Sequence, residues 1–256
     1  MRTAMCPFYQ PSLRTDTGGS DVRACWQDDG VTENLTIDDT ATRWSSPDRG
    51  GMPLLVLLHG YGADEHDLFG LVPYLPSGIA VASVAAPLAP PWPMPGRSWY
   101  AIDGLDGRSP EAVTIAAEAF LRWLDAAAGD SPSVALLGFS QGAAVSLQAL
   151  RLAPERFGAV VALSGYAAPG DLPGDETLTE LRPPVFWGRG THDDVIPPAL
   201  VDHTAQWLPG HADLSGRVYT GLTHSISEEE LADVHRFLTK WIEGIGADQE
   251  EGPRPA

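Results

Sequence analysis

Gly138-Phe139-Ser140-Gln141-Gly142 sets a serine between two glycines, directly after the apolar run Val134-Ala135-Leu136-Leu137 and before the helical run Ala143-Ala144-Val145-Ser146-Leu147. A strand, a sharp turn and a helix in that order leave a serine hydroxyl exposed above a sheet, and small flanking residues permit the strained backbone that the turn demands. The chemistry so prepared is nucleophilic attack on an acyl carbon. A neutral serine hydroxyl attacks poorly, so a base must stand within hydrogen-bond reach of it and a carboxylate must orient that base. With this motif the chain order is serine, then acid, then histidine.

Five of the seven histidines follow Ser140: His192, His203, His211, His224 and His235. His203 falls in a predicted helix over 199–208 and His235 in the middle of another, both poor places for a catalytic ring. His224 stands in the turn Gly221-Leu222-Thr223-His224-Ser225, between the last strand and the last helix, and loops at strand ends are where such bases belong. For the acid, Gly190-Thr191-His192-Asp193-Asp194-Val195-Ile196-Pro197 follows the apolar run Pro184-Val185-Phe186-Trp187. Asp193 and Asp194 both satisfy that placement, and the residues alone leave the choice open. His192-Asp193-Asp194 does not read as a metal centre, because adjacent side chains diverge and no second ligand cluster is evident. No metal or other cofactor is expected.

A tetrahedral intermediate needs backbone N–H donors for its oxyanion. Gln141, next after the serine, offers one, and Tyr61 in Leu58-His59-Gly60-Tyr61-Gly62-Ala63-Asp64 offers the other, since glycines there let the backbone approach a ligand. His59 reads as a structural hydrogen-bonding residue.

The elements that must position these residues follow from hydrophobic pattern. Leu54–Leu58, Ala80–Val84, Val134–Leu137, Ala159–Leu163 and Pro184–Trp187 are near-continuous apolar runs, as strands covered by helices on both faces should be. A sixth strand near Arg217-Val218-Tyr219 and a polar edge strand within Leu35–Trp44 complete a mostly parallel sheet. Ser109-Pro110-Glu111 opens a helix carrying Val113, Ala117, Phe120, Leu121 and Leu124, and Ser227-Glu228-Glu229-Glu230 opens another carrying Leu231, Val234, Leu238 and Ile242.

Taken together, the segments around Tyr61, Ser140, Asp193 and His224 resemble the phospholipase/carboxylesterase family, which includes the acyl-protein thioesterases. The resemblance covers about residues 35–245. It implies an α/β-hydrolase fold with helices on both faces of the sheet and little or no lid. It implies Ser140, Asp193 and His224 as the triad, because the family's acid lies three positions after the glycine, here Gly190. It likewise implies Tyr61 and Gln141 as the oxyanion donors, and hydrolysis of carboxylic esters or thioesters without a cofactor. Ser98-Trp99-Tyr100 is similar to a segment near the family's active-site entrance, which makes Trp99 and Tyr100 the candidate substrate-binding residues. Arg189 departs from the family, which usually has histidine there.

The composition limits the alternatives. At 256 residues the chain suits one domain, set at 31–246, with a poorly ordered leader over 1–30 and a frayed tail over 247–256. Lys plus Arg number 16 against 34 Asp plus Glu, a formal charge of −18 that repels nucleic acid and opposes stable contact with anionic membranes. Short to medium acyl chains on small-molecule esters are therefore favoured. Two cysteines, Cys6 and Cys25, lie outside any metal-ligand spacing and fit a reducing compartment, hence the cytoplasm. The aromatic segment 92–100 and the Pro/Gly-rich stretch 166–184 are candidate walls of an acyl pocket. An acyltransferase with the same triad, or a non-catalytic binding protein on the same fold, are the rival readings, and the oligomeric state is left open, a homodimer included.

Overall fold

The computed structural model describes residues 35–91, 93–102 and 108–251, with side chains as far as Ile245. The expected leader, Trp92 of the aromatic segment and the last five residues of the tail lie outside the described residues.

The apolar runs form the strands their composition predicts. These are β2 (Leu54–Leu58), β3 (Ala80–Val84), β4 (Val134–Phe139), β5 (Ala159–Leu163) and β6 (Pro184–Gly190), followed by β7 (Asp213–Tyr219). The polar edge strand is shorter than expected. Asp38 caps a single 3-10 turn over Asp39–Ala41 by accepting from Thr40 N–H at 3.0 Å, so only Arg43–Trp44 remain to pair as β1. The seven strands lie in the order β1-β3-β2-β4-β5-β6-β7, all parallel except the β1 and β3 pair.

Two facts about this order place the site. The chain leaves β2 toward β3 on one side and returns to β4 on the other, so the loops that follow β2 and β4 diverge and open a crevice at the carboxyl ends of the strands. Leu58 and Gly138, the residues before those two loops, are in register. The turn carrying Ser140 and the loop carrying Tyr61 therefore emerge side by side.

Alternation along the strands supplies both faces with core. Leu54, Val56, Leu58, Leu136, Val160 and Ala162 enter one apolar cluster with α1 (Pro110–Ala127) and α2 (Gln141–Leu152), while Leu55, Leu57, Leu137 and Val161 enter another. Val234, Leu238 and Trp241 of α5 (Glu228–Glu251) complete the second cluster. The helix starts are those the sequence marks. Ser109 Oγ accepts from Ala112 N–H at 3.3 Å, and Ser227 Oγ accepts from Glu230 N–H at 3.1 Å. The backbone of α5 continues to Glu251, so the boundary set at 246 falls inside that helix.

Two further helices complete the order, α3 (Gly174–Leu181) and α4 (Pro198–His211). The first lies within the Pro/Gly-rich stretch 166–184, where the sequence marked no helix. Arg151, which is 1% exposed, donates from Nε and Nη2 to the two carboxylate oxygens of Asp175 at 2.7 Å each and from Nη1 to Ala168 O at 2.6 Å. This bidentate pair ties the start of α3 and the chain before it onto α2. Among the described residues no helix is long and apolar enough to cross a membrane.

Candidate active site

Ser140 sits between β4 and α2 with φ of 54° and ψ of −113°, a backbone conformation that L-residues rarely adopt. The glycines beside it serve close approach. A Cβ on Gly142 would lie 2.0 Å from Leu58 O, and one on Gly138 would lie 2.4 Å from Gly142 O. Any larger residue would push α2 off the end of β2 and move the serine with it.

His224, in the loop between β7 and α5, places Nε2 2.9 Å from Ser140 Oγ. Its Nδ1 lies 2.8 Å from Asp193 Oδ2, which fixes the tautomer with Nδ1–H donating to the carboxylate. Phe139 packs against the imidazole, with ring centroids 4.9 Å apart. Asp193 Oδ1 in turn accepts from Val195 N–H at 3.0 Å and Ile196 N–H at 3.3 Å. Burial pushes the Asp193 carboxyl up, but the hydrogen bond and charge of His224 and the two backbone donors outweigh it and hold the carboxyl below its ordinary value. Asp194 is exposed and takes no part in this chain of hydrogen bonds.

Tyr61 and Gln141 line one cavity of about 160 Å³ together with Ser140 and His224. Among the described residues neither backbone N–H has an acceptor. The Gln141 side chain is fully engaged elsewhere. Its Oε1 accepts from Trp99 N–H at 2.8 Å and its Nε2 donates to Tyr100 O at 2.7 Å, so the amide stands in for a peptide group and clamps segment 98–100 to the start of α2.

That clamp separates the two substrate-binding candidates. Tyr100 lines the cavity and its hydroxyl lies 2.7 Å from that of Tyr166. Trp99 does not line it. Its indole is 0% exposed, donates to His59 O at 2.9 Å and packs on Phe120, because the Gln141 clamp turns it into the core beneath α1. Of the candidate pocket walls, Tyr166 from stretch 166–184 also reaches the cavity. The remaining lining comes from Val195 and Ile196, which follow Asp193 in its motif but were given no role there, and from Ile102 and Arg108, which carried no signal in the sequence because they reach the site from a loop without a pattern.

His59 is buried, with Nδ1–H donating to Gly60 O at 2.7 Å and Nε2 accepting from Ala86 N–H at 3.1 Å. Burial lowers its pKa, and both nitrogens are occupied, so it acts as a neutral strut under the Tyr61 loop. His203 and His235 lie on helices, as expected from sequence, and His211 is the last residue of α4, which runs three positions past the expected 199–208. Asp64, Glu65 and His66 bring three ligand-type atoms within 4.8 Å of one another in one surface turn. They are not among the residues lining the Ser140 cavity.

A model of the phospholipase/carboxylesterase family matches residues 42–242. Acyl-protein thioesterase 1 of Debaryomyces hansenii is 39% identical over 104 residues, which is 40% of this chain and 45% of that protein. The thioesterase of the same name from Saccharomyces cerevisiae is 35% identical over 107 residues, 40% of this chain and 47% of its own length. The matched segments thus span just under half of these curated relatives. Among solved structures, esterase PE8 superposes with a TM-score of 0.64 at 28% identity, covering 78% of this chain and 98% of that one. The Bacillus cereus carboxylesterase gives 0.67 at 18% identity, covering 78% and 93%, a likeness of fold. The strand order, the turn at Ser140 and the match over 42–242 lead to one conclusion: the chain belongs to the phospholipase/carboxylesterase family.

Proposed function

We propose that this protein hydrolyses carboxylic esters, thioesters included, of short to medium acyl chains through an acyl-enzyme on Ser140. The observation that carries the reading is the unbroken series Ser140 Oγ, His224 Nε2, His224 Nδ1, Asp193 Oδ2, with contacts of 2.9 and 2.8 Å. His224 Nε2 takes the Ser140 proton as Oγ attacks the carbonyl carbon. The negative charge that develops on the carbonyl oxygen is met by the N–H groups of Tyr61 and Gln141, both of which face no other acceptor among the described residues. His224 then gives its proton to the departing alcohol or thiol, leaving the acyl group on Ser140. Water, deprotonated by the same ring, attacks that acyl group and releases the acid. Asp193 keeps its charge throughout and holds the ring in the productive tautomer.

The relatives named acyl-protein thioesterase support thioesters as substrates beside oxygen esters. The cavity of about 160 Å³ and the charge of −18 support small substrates over long lipid chains at an anionic surface. The two cysteines in 256 residues support the cytoplasm as the location.

The test is hydrolysis of 4-nitrophenyl esters from acetate to palmitate by the wild type and Ser140→Ala. Turnover that is highest for short and medium chains and disappears in the mutant is expected. Retained turnover by a pure mutant would sink the assignment of the nucleophile, and a preference for palmitate would sink that of chain length.

A further inference from the structure

The cavity that holds Ser140 also holds a cation. Arg108 lines it, with Nη2 donating to Val195 O at 2.9 Å. A guanidinium carries five N–H donors, and among the described residues this one has no carboxylate within 4 Å. In a chain with 34 acidic against 16 basic residues, a cation in the Ser140 cavity with no acid partner among the described residues calls for an explanation. Arg108 also borders a second cavity of about 230 Å³ whose other walls are Pro110, Pro169, Pro197, Ala199 and Leu200, none of which offers it a charge.

The second observation is a proton without an acceptor. The hydroxyls of Tyr100 and Tyr166 are 2.7 Å apart, and each brings one proton. One proton fills the space between the two oxygens. The other has no acceptor among the described residues, although the side chains are only 3% and 1% exposed. Buried donors in folded proteins are paired, and one left over in a cavity faces whatever fills that cavity. Burial raises the pKa of both phenols, and the positive charge of Arg108 acts on both in the opposite direction, so all three groups share one local field.

We propose that Arg108 and the unclaimed phenolic O–H receive an anionic group, a carboxylate in its simplest form, carried by the ester substrate a few atoms from the scissile bond. The site then selects acid-bearing esters over neutral esters of the same length. This inference rests on the reading of Ser140 as nucleophile. At about 30 Å³ per water-sized group, a cavity of about 160 Å³ has room for about five, which matches a short acyl chain ending in an acid.

The experiment compares two pairs of substrates with wild type, R108Q, R108M and R108K. Mono-4-nitrophenyl glutarate against 4-nitrophenyl pentanoate puts the charge on the acyl side. The butanoate ester of 4-hydroxybenzoate against phenyl butanoate puts it on the leaving group. The quantity read is the ratio of kcat/KM for the charged over the neutral member. In one of the two pairs this ratio is expected to fall about 10- to 100-fold in R108Q and R108M and to recover in part in R108K, since a charge-assisted hydrogen bond is lost and a point charge restored. The pair that responds identifies the side that carries the acid. A ratio unchanged by R108Q and R108M in both pairs would overturn the proposal while leaving the esterase reading intact. Turnover surviving in Ser140→Ala would instead reject the nucleophile on which both depend.

Discussion

Asp193 and Asp194 are neighbours with opposite environments. Asp193 accepts from His224 and from two backbone N–H groups, whereas Asp194 faces solvent. Replacing Asp193 with Asn would present a donor where the imidazole needs an acceptor, so kcat should fall about 10³- to 10⁴-fold with an unchanged far-UV spectrum. Asp194→Asn should stay within about threefold of wild type. Comparable losses from both would break the assignment of the acid. At Gln141 the side chain and the backbone do separate work, and Gln141→Ala tests the clamp alone. Trp99 N–H and Tyr100 O would lose their partner, and we expect about 1–3 kcal/mol lower stability in urea together with a reduced kcat/KM. The site residues legible in sequence were those with a local reason for their neighbours: a serine between glycines, a histidine in a strand-to-helix turn, an aspartate after a strand. The aspartate pair was separable only by resemblance, because both stand at the same strand end. Trp99 and Arg108 mark the limit. Whether an aromatic ring turns into the core or a loop arginine reaches a cavity depends on contacts with residues more than 40 positions away, Gln141 for the first and Val195 for the second.

Among the elements, α5 carries a buried acid. Glu230 is 0% exposed, neither carboxylate oxygen has a hydrogen-bond partner among the described residues, and Gly188 leaves the space in which it sits. Burial first, and the nearby charge of Asp233 second, push its pKa up to about 7 from 4.5, against the Ser227 contact, which lowers it. Its folded-state pKa is raised, so the folded state holds the proton more tightly than the unfolded chain. Stability from this group is complete below about pH 4.5 and falls as pH rises through about 7. Glu230→Gln should therefore leave stability near pH 4.5 almost unchanged and raise it by up to about 3 kcal/mol at pH 8.5, read from urea unfolding at the two pH values. An equal change at both would show that the glutamate does not titrate in this window. A second test concerns the tie between α2 and α3. Arg151→Ala leaves the Asp175 carboxylate and the carbonyl of Ala168 without their donor in a nearly closed site, and should cost about 3–5 kcal/mol. The strands were readable from their near-continuous apolar runs, and the helices α1 and α5 because each has a period and a serine cap. The helix α3 was not, since its eight residues include a single buried apolar side chain, Leu178, and it is held by an arginine from another helix. The 3-10 segment Leu68–Tyr74 contains a proline and one buried residue, too little for a periodic signal.

The whole chain carries 18 more acidic than basic charges, and like charges crowd together when it folds. Screening them should favour the folded state, so the Tm is expected to rise by a few degrees between 20 and 500 mM sodium chloride at pH 8; a falling Tm would mean that specific ion pairs outweigh the general repulsion. The order of the sheet was foreseeable in kind, because near-continuous apolar strands alternating with helices leave few parallel arrangements, but the placing of β2 between β3 and β4 is a tertiary fact. That placing gives the cavity two unlike sides. On one side Gln141, Tyr100 and the underlying Trp99 are locked to one another and to His59. On the other, Ile102, Arg108, Val195 and Ile196 come from loops; Arg108 donates to Val195 O at an exposed contact, and the backbone N–H groups of Val195 and Ile196 hold Asp193 Oδ1. Inherited variation and laboratory selection would thus meet very different resistance on the two sides. New substrate ranges are open to this scaffold through the side chains of Ile102, Arg108 and Val195, while a change at the clamped side, or at the buried Ile196, disturbs the packing around the turn that holds Ser140.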